Sequence, residues 1–143
     1  MRARESFSKD KIRLTCHITI NTNLNSEHLV AINAGEFQQV ILNLVNNSID
    51  SLSGLDLKNK IVSIASSDHP SHVEVSISDN GQGVAQDLIP NLFELMKSNK
   101  SAGMGLGLWL SKHIIERHQG KITYQTSHAG GAEFVIRIPL QMV

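Results

Sequence analysis

The chain has 143 residues, of which 41% are hydrophobic; this is enough to bury one core and asks for no second domain. Its 13 basic and 13 acidic residues cancel, which argues against binding to nucleic acid or to an anionic membrane surface through a general field. The single cysteine excludes an internal disulfide framework and a cysteine-based zinc site. We therefore expect one domain over residues 1–143.

The beginning of the chain is polar and charged, and no stretch approaches the roughly 20 apolar residues that span a bilayer. We expect residues 1–10 to be a flexible start or a linker remnant. This segment is predicted to be cytoplasmic and to make no membrane contact, although the parent protein could be membrane-anchored.

The first regular elements are a strand and a helix. Apolar residues alternate with polar ones from Ile12 to Ile20, which predicts a strand with one buried face that opens the sheet. Asn33 and Glu36 resemble a capping box and predict a helix over about 34–52. One arc of this helix is apolar, and a polar stripe along its edge contains Asn43, Asn47 and Asp50.

Four more alternating runs and a second helix follow. The runs 61–65 and 73–77, joined by a turn at 68–71, predict a hairpin that leads directly into Asp79. A helix is predicted over about 105–119, with Gly120 as its stop signal. The runs 122–126 and 132–138 predict a second hairpin. Together these elements predict an α/β (α+β) two-layer sandwich.

Two glycine-bearing segments are candidates for ligand binding. Asp79, Gly81 and Gly83 combine an acceptor carboxylate with glycines that let the backbone approach a flat ligand, although a simple turn has the same composition. Gly103, with the glycines that follow it, opens the second helix, where exposed amides suit phosphate oxygens; close packing is the alternative. This segment has neither a preceding strand nor a Walker lysine, which excludes a Rossmann site and a P-loop.

Two asparagines supply a third candidate. Asn43 and Asn47 lie one helical turn apart and offer neutral oxygen ligands, which suit a magnesium ion that keeps most of its ligands as water and phosphate oxygen. Asparagines on an exposed helix face are more commonly just solvated. The order of the three candidates along the chain favours the functional interpretation.

This order resembles the catalytic domain of sensor histidine kinases, in the superfamily shared with gyrase, heat-shock chaperone and mismatch-repair ATPases. Four segments are similar to the asparagine, first glycine, phenylalanine and second glycine boxes of that family: 39–51, 79–84, 93–100 and 103–108. The resemblance implies a Bergerat-type fold, with a mixed, mostly antiparallel sheet of about five strands covered on one face by about three helices. The phenylalanine box departs from many relatives at Leu95, Met96 and Lys97.

The resemblance also implies roles for individual residues. Asp79 would accept a hydrogen bond from the adenine amino group, and Asn47 would hold magnesium. Asn43, Lys97 and Lys100 would be catalytic, with the lysines stabilising charge on the phosphates. The residues expected to contact the nucleotide are Asn47, Asp50, Asp79, Gly81, Gly83, Val84, Phe93, Gly103, Gly105, Leu106, Gly107 and Leu108.

The residue at position 43 separates the possible activities. The related ATPases carry there a glutamate that activates water, and Asn43 cannot take that proton. We therefore expect the domain to bind Mg-ATP and to donate the γ-phosphate to a histidine on a separate dimerisation and phosphoacceptor domain, which in turn serves a response regulator. The alternatives are a nucleotide-binding regulatory module with little or no transfer and, ranked lower, an ATPase or serine kinase of the same superfamily.

The chain itself offers no acceptor for the phosphate. None of its seven histidines carries the acidic residue and later proline of the acceptor motif, so they are predicted to be structural or surface residues. No histidine forms a spacing such as H-E-x-x-H, so a zinc site is not expected. The dimerisation helices are also missing from the sequence, and we expect the isolated domain to be monomeric.

Overall fold

The computed structural model describes residues 17–95 and 104–141, without the side chains of residues 104 and 105. The predicted flexible start, Lys97, Lys100 and Gly103 lie outside the described residues. In chain order the elements are β1 (Ile18–Leu24), α1 (Ala34–Ser53), β2 (Lys60–Asp68), β3 (His72–Asp79), a 3-10 helix (Gln86–Asn91), α2 (Met104–Arg117), β4 (Lys121–Thr126) and β5 (Ala132–Pro139).

The five strands form one mixed sheet in the order β1-β2-β3-β5-β4. β1 pairs with β2 in parallel, and the other neighbours are antiparallel. Along β3 every second residue from Val73 to Asp79 is buried, because this face of the strand lies beneath the helices. The predicted sandwich is confirmed, and the described residues form two α-helices and one 3-10 helix beside the sheet. None of the helices in the described ranges is long and apolar enough to cross a bilayer.

The predicted burial of the first strand is partly wrong. The strand begins at Ile18, and Ile20, expected on a buried face, is 49% exposed. β1 is an edge strand, and the α-helices pack mainly over β2, β3 and β4, so alternation along β1 does not produce a covered face. The predicted residues 12–16 of this strand lie outside the described part of the chain.

The predicted helix over 34–52 is confirmed as α1. The Asn33 side chain accepts a hydrogen bond from the Glu36 amide at 2.9 Å, which satisfies one otherwise unpaired donor of the first turn. The reciprocal half of the capping box is wrong, because the Glu36 carboxylate pairs with Arg117 instead. The Asn33 amide donates to His118 Nε2 at 3.3 Å, so the start of α1 is held by the end of α2.

The end of α2 differs from the prediction in one respect. Gln119, and not Gly120, adopts the left-handed conformation, with φ at 67°. A β-carbon on Gly120 would lie 2.6 Å from the Arg137 carbonyl oxygen, so the glycine is required by the close approach of β5. The Gly120 amide still helps to end the helix, because it donates to the Ile115 carbonyl oxygen at 2.9 Å, but the residue must be glycine because of packing and not because of its backbone conformation.

Candidate functional site

A pocket of about 180 Å³ lies between α1, the end of β3 and the start of β5. It is smaller than the roughly 300–1,000 Å³ that enclose a drug-sized ligand, so it suits one ring system of a larger ligand. Its lining residues are Asn47, Ser48, Ser51, Asp79, Gly83, Val84, Ala85, Leu88, Ala132 and Phe134.

Asp79 is the charged group in the wall of this pocket. It ends β3 and is only 4% exposed, so its carboxylate depends on hydrogen bonds from the protein. The amides of Gly81 and Ala132 donate to Oδ1 at 2.9 and 3.3 Å. The described residues donate no hydrogen bond to Oδ2. The carboxylate is thus fixed through one oxygen, and the other can accept a donor from a ligand.

The turn between β4 and β5 holds the main chain of Asp79 in place. The buried Ser127 hydroxyl donates to the Asp79 carbonyl oxygen at 2.9 Å and accepts from the Gly131 amide at 3.0 Å. A β-carbon on Gly131 would approach Asp79 Oδ1 to 2.3 Å, and therefore only glycine fits against the carboxylate.

The glycines that follow Asp79 allow this segment of the backbone to lie close to the pocket. Gly83 has a φ of +80°, a conformation that other residues rarely adopt. The Val84 amide then donates to the Tyr124 hydroxyl at 3.0 Å, which fixes Val84 at the pocket wall. A β-carbon on Gly81 would meet Leu52 of α1 at 3.2 Å, so this turn packs directly on the helix.

Asn47 enters the pocket from α1 with an unsatisfied amide group. Its Nδ2 is buried and has no hydrogen-bond partner among the described residues. A buried amide without a partner costs about 1–3 kcal/mol, and such a group commonly marks a place where a ligand, ion or water completes the site. The side chain lines the same pocket as Asp79, and its contact with a ligand stays a prediction.

Asn43 connects the two helices. Its Nδ2 donates to the Gly107 carbonyl oxygen at 3.4 Å and to the Ser111 hydroxyl at 3.3 Å, while its Oδ1 accepts from Gln39 at 3.1 Å. Ser111 is fully buried. These bonds fix the beginning of α2 against the polar stripe of α1.

The first five residues of α2 include four predicted binding residues, which have different environments. α2 begins at Met104, so Gly105 and Gly107 lie in its first turn, where amides lack intrahelical partners. The Leu106 side chain is 61% exposed, whereas Leu108 is fully buried in the hydrophobic core. No part of Leu108 is exposed, so the structure places it in the hydrophobic core, and its contact with a ligand stays a prediction.

Two predicted binding residues lie away from the pocket. Asp50 is exposed on α1 and does not line it. Phe93 contacts Phe134 edge-on, with ring centroids 6.0 Å apart, and borders a separate surface depression with Trp109, which stacks on His113.

Several pocket residues were missed in the sequence. Ser48 and Ser51 lie on α1 just after Asn47 and were not distinguished from ordinary helix residues. Ser48 is 2% exposed, and a polar residue inside the apolar arc could have indicated it. Ala132 and Phe134 come from β5, whose proximity to Asp79 depends on sheet order and not on any local pattern.

The pocket thus combines apolar walls with one buried carboxylate acceptor and one unsatisfied amide. A planar heterocycle with an amino group fits this chemistry, since the carboxylate accepts its hydrogen bond and the apolar residues contact its faces. The exposed amides of the α2 start are suited to anionic groups attached to such a ring.

Comparison with known proteins agrees with this chemistry. A sequence model of the family described as histidine kinase-, DNA gyrase B- and HSP90-like ATPases matches residues 32–142. The chain is 34% identical over 111 residues to the sensor protein FixL of Bradyrhizobium diazoefficiens, covering 78% of the chain and 22% of FixL. It is 35% identical over 106 residues to sporulation kinase E of Bacillus subtilis, covering 74% of the chain and 14% of that kinase. The chain therefore spans less than a quarter of either relative.

Solved structures give the same relationship. The nucleotide-free catalytic domain of histidine kinase ThkA superposes with a TM-score of 0.73 at 30% identity, covering 92% of this chain and 86% of that one. Full-length ShkA in complex with AMPPNP shares the fold, with a TM-score of 0.72 at 24% identity, covering 88% of this chain and 26% of that one. The chain belongs to the family of histidine kinase-, DNA gyrase B- and HSP90-like ATPases, as an ATP-binding domain of the sensor histidine kinase type.

Proposed function

We propose that this domain binds Mg-ATP and donates the γ-phosphate to a histidine on a separate phosphoacceptor domain. The observation that carries the proposal is the buried Asp79 carboxylate. It is fixed through Oδ1 by two backbone amides, and its Oδ2 receives no hydrogen bond from the described residues, in a pocket shared with Asn47.

Asp79 would select adenine. The adenine amino group is a donor and would donate to Oδ2, whereas guanine presents a carbonyl acceptor at the same place on its ring. Two acceptors facing each other in a buried site repel, and the carboxylate cannot turn away because Oδ1 is already held. The proposed site therefore favours ATP over GTP.

Asn47 would hold Mg²⁺. Its side chain lines the pocket, and the buried Nδ2, which has no partner among the described residues, would donate to an oxygen of the ligand, while Oδ1 would be the atom that ligates Mg²⁺. Asparagine oxygens suit Mg²⁺, which would neutralise charge on the phosphate oxygens of bound ATP. The phosphates would extend from the base pocket towards the first turn of α2, and Lys97 and Lys100 would supply further positive charge.

Asn43 favours transfer over hydrolysis. An amide cannot act as a general base, and both ends of this amide are engaged in hydrogen bonds with Gln39, Gly107 and Ser111. The nucleophile would instead come from outside: an imidazole nitrogen attacks the γ-phosphorus in line, the new P–N bond forms, and the bond to the ADP oxygen breaks. A response regulator would then receive the phosphate from the acceptor domain.

Calorimetric titration of the domain with ADP and with a non-hydrolysable ATP analogue tests the site, each with and without Mg²⁺. We expect binding that strengthens with Mg²⁺ and at least a tenfold preference over GDP, which corresponds to about 1.4 kcal/mol. In the same preparation phosphate release from ATP should stay at background. Equal affinity for ADP and GDP would contradict the role of Asp79, and steady phosphate release would favour the ATPase alternative.

A further inference from the structure

A second cluster of ligand-bearing side chains lies at the β2–β3 turn. His69 is in the turn, His72 begins β3, and Glu74 follows two residues later. His72 and Glu74 point to the same face of the sheet, opposite to the core residues Val73 and Val75. Asp79 ends the same strand seven residues from His72, so the cluster is about 23 Å from the proposed nucleotide site.

The three side chains are close enough to share one ion. One ligand atom from each of His69, His72 and Glu74 lies within 4.8 Å of the others. His69 Nε2 is 3.7 Å from Glu74 Oε1, and the two imidazole rings stack with centroids 4.7 Å apart and planes 4° from parallel. Zinc bonds of about 2.0–2.1 Å in a tetrahedron place ligand atoms about 3.3 Å apart, so the three atoms would move together by up to about 1.5 Å and the stacked rings would turn towards the ion.

His72 gives the second, independent sign of a ligand. Its Nε2 is buried and has no hydrogen-bond partner among the described residues, while its Nδ1 lies 3.3 Å from the Ser71 hydroxyl. When Nδ1 carries the hydrogen and donates to Ser71, Nε2 presents its lone pair, which is the form that binds a metal ion.

Glu74 is already oriented towards this point. Arg137 lies directly opposite it on β5 and donates from Nε to Glu74 Oε2 at 3.0 Å. Oε1 is therefore the oxygen that faces His69. A fixed partner on the far oxygen of a ligating carboxylate is the usual arrangement around protein-bound metals.

We propose that His69, His72 and Glu74 form a zinc-binding site on the outer face of the β2–β3 hairpin, with water as the fourth ligand. Two imidazoles and one carboxylate suit Zn²⁺ and neighbouring transition metals, whereas Mg²⁺ and Ca²⁺ prefer sites made of oxygens alone. The expectation from the sequence that the chain has no zinc site is thereby revised, since H-E-x-x-H spacing detects sites on helices and this site lies across a turn.

The bound ion would stabilise this end of the sheet. The turn residue Ser71 accepts a hydrogen bond from the Leu140 amide at 3.2 Å, and Asp68, just before the turn, accepts from the Ser26 hydroxyl at 2.6 Å. Zinc binding would therefore raise the thermal unfolding midpoint. The distance from Asp79 predicts an unchanged affinity for ADP, so this site and the nucleotide site can be tested separately.

The test is calorimetric titration with ZnCl₂ near neutral pH, without nucleotide or chelator. The wild-type domain should bind one Zn²⁺, and His72→Gln and Glu74→Gln should each weaken binding by about tenfold or more. His113→Gln is the matched control, because His113 is exposed on α2 and stacks on Trp109. Titration with MgCl₂ should give no binding at this site.

A second measurement does not depend on the variants folding. In the wild-type domain, nitrogen-15 spectra of the histidine rings should show Zn²⁺-dependent shifts at His69 and His72 and none at His113. An absence of Zn²⁺ binding, equal affinity in the three variants, or shifts confined to other histidines would each overturn the proposal.

Discussion

Gly131 lies against Asp79 so closely that a β-carbon on the glycine would come within 2.3 Å of Oδ1. The same β-carbon would lie 2.6 Å from the Gly81 amide nitrogen, which donates to that oxygen. The turn between β4 and β5 therefore forms one side of the carboxylate's environment, although it is about 50 residues away in sequence.

Gly131→Ala should destabilise the domain and weaken ADP binding together. The added methyl group collides with backbone and with the carboxylate, and overpacking of this kind costs about 1–3 kcal/mol. Urea unfolding, monitored by circular dichroism, measures the loss in free energy of unfolding. Gly54→Ala is the control, since Gly54 ends α1 at φ −90° with nothing within 4 Å of its β-carbon, and it should stabilise by about 0.4–1 kcal/mol. Equal stability of the two variants would contradict the close approach.

Asp79→Asn should weaken ADP binding by about tenfold or more with little loss of stability. Asparagine keeps an Oδ1 that can accept from Gly81 and Ala132, but it places an NH₂ donor where the adenine amino group must donate. Calorimetry with and without Mg²⁺ measures the effect, which should be present in both conditions. Asp56→Asn, an exposed position after α1, is the control. Unchanged affinity in Asp79→Asn would remove Asp79 from the site.

Asn47→Ala should abolish the effect of Mg²⁺ on nucleotide binding and leave the stability of the domain almost unchanged. Removing a buried amide without a partner eliminates a cost of about 1–3 kcal/mol in the empty domain, and this offsets the packing lost with the side chain. The thermal midpoint should therefore stay near the wild-type value, while the gain in nucleotide affinity on adding Mg²⁺ should disappear. Asn46→Ala, an exposed position on the same helix, should change neither quantity. Retention of the full Mg²⁺ effect in Asn47→Ala would exclude it as the ligand.

Asn43→Ala, unlike Asn47→Ala, should lower the free energy of unfolding. It breaks the hydrogen bonds to Gly107 and Ser111, and it leaves the fully buried Ser111 hydroxyl without this partner. We expect a loss of about 1–3 kcal/mol in unfolding free energy. If Asn43→Ala were as stable as Asn47→Ala, the hydrogen bonds of Asn43 to α2 would contribute nothing to stability.

Features that are set by neighbouring residues along the chain could be predicted from the sequence, whereas features that depend on contacts between distant segments could not. Periodicity and turn residues predicted the helices and hairpins within a few residues, because those signals are set by neighbours along the chain. The exposure of β1 could not be predicted, since it depends on where the helices lie over the sheet. Similarly, the Glu36 carboxylate was expected to cap its own helix, but it forms an ion pair with Arg117, which is distant in the sequence.

For the candidate site, Asp79 and Asn47 were predicted individually, and the pocket that contains both is present. The residues contributed by β5 and the β4–β5 turn were not predicted, because their approach follows from the order of β3 and β5 in the sheet. Gly131 lies between the two runs that predict the second hairpin, 122–126 and 132–138, where a hairpin turn alone accounts for a glycine. The second role of Gly131, its close approach to the Asp79 carboxylate, leaves no sequence pattern that distinguishes it from an ordinary turn glycine.

Glu36 should give the domain a pH-dependent contribution to stability. Its hydrogen bond with Arg117, assisted by the charges of Arg117 and His118, lowers the pKa of its carboxyl group despite partial desolvation. A lowered folded-state pKa stabilises the domain above the unfolded-state pKa, and the contribution is lost as the pH falls through the folded-state value. Glu36→Gln should therefore lower the thermal midpoint at neutral pH and have a smaller effect below about pH 4.

Thermal unfolding followed by circular dichroism across this pH range measures the difference between wild type and Glu36→Gln. Glu27→Gln is the matched control, because Glu27 is exposed and precedes the same helix. A difference between wild type and Glu36→Gln that grows as the pH falls would contradict the assigned sign.

Transfer of the γ-phosphate from labelled ATP to a separately supplied phosphoacceptor domain is the most direct test of the proposed function. We expect Mg²⁺-dependent labelling that is stable in alkali and lost in acid, because the bond formed is a phosphorus–nitrogen bond, and no labelling when the acceptor histidine is replaced. ATP binding without any labelling would contradict transfer and support the regulatory-module alternative, and acid-stable labelling of a serine would place the domain with the serine kinases of its superfamily.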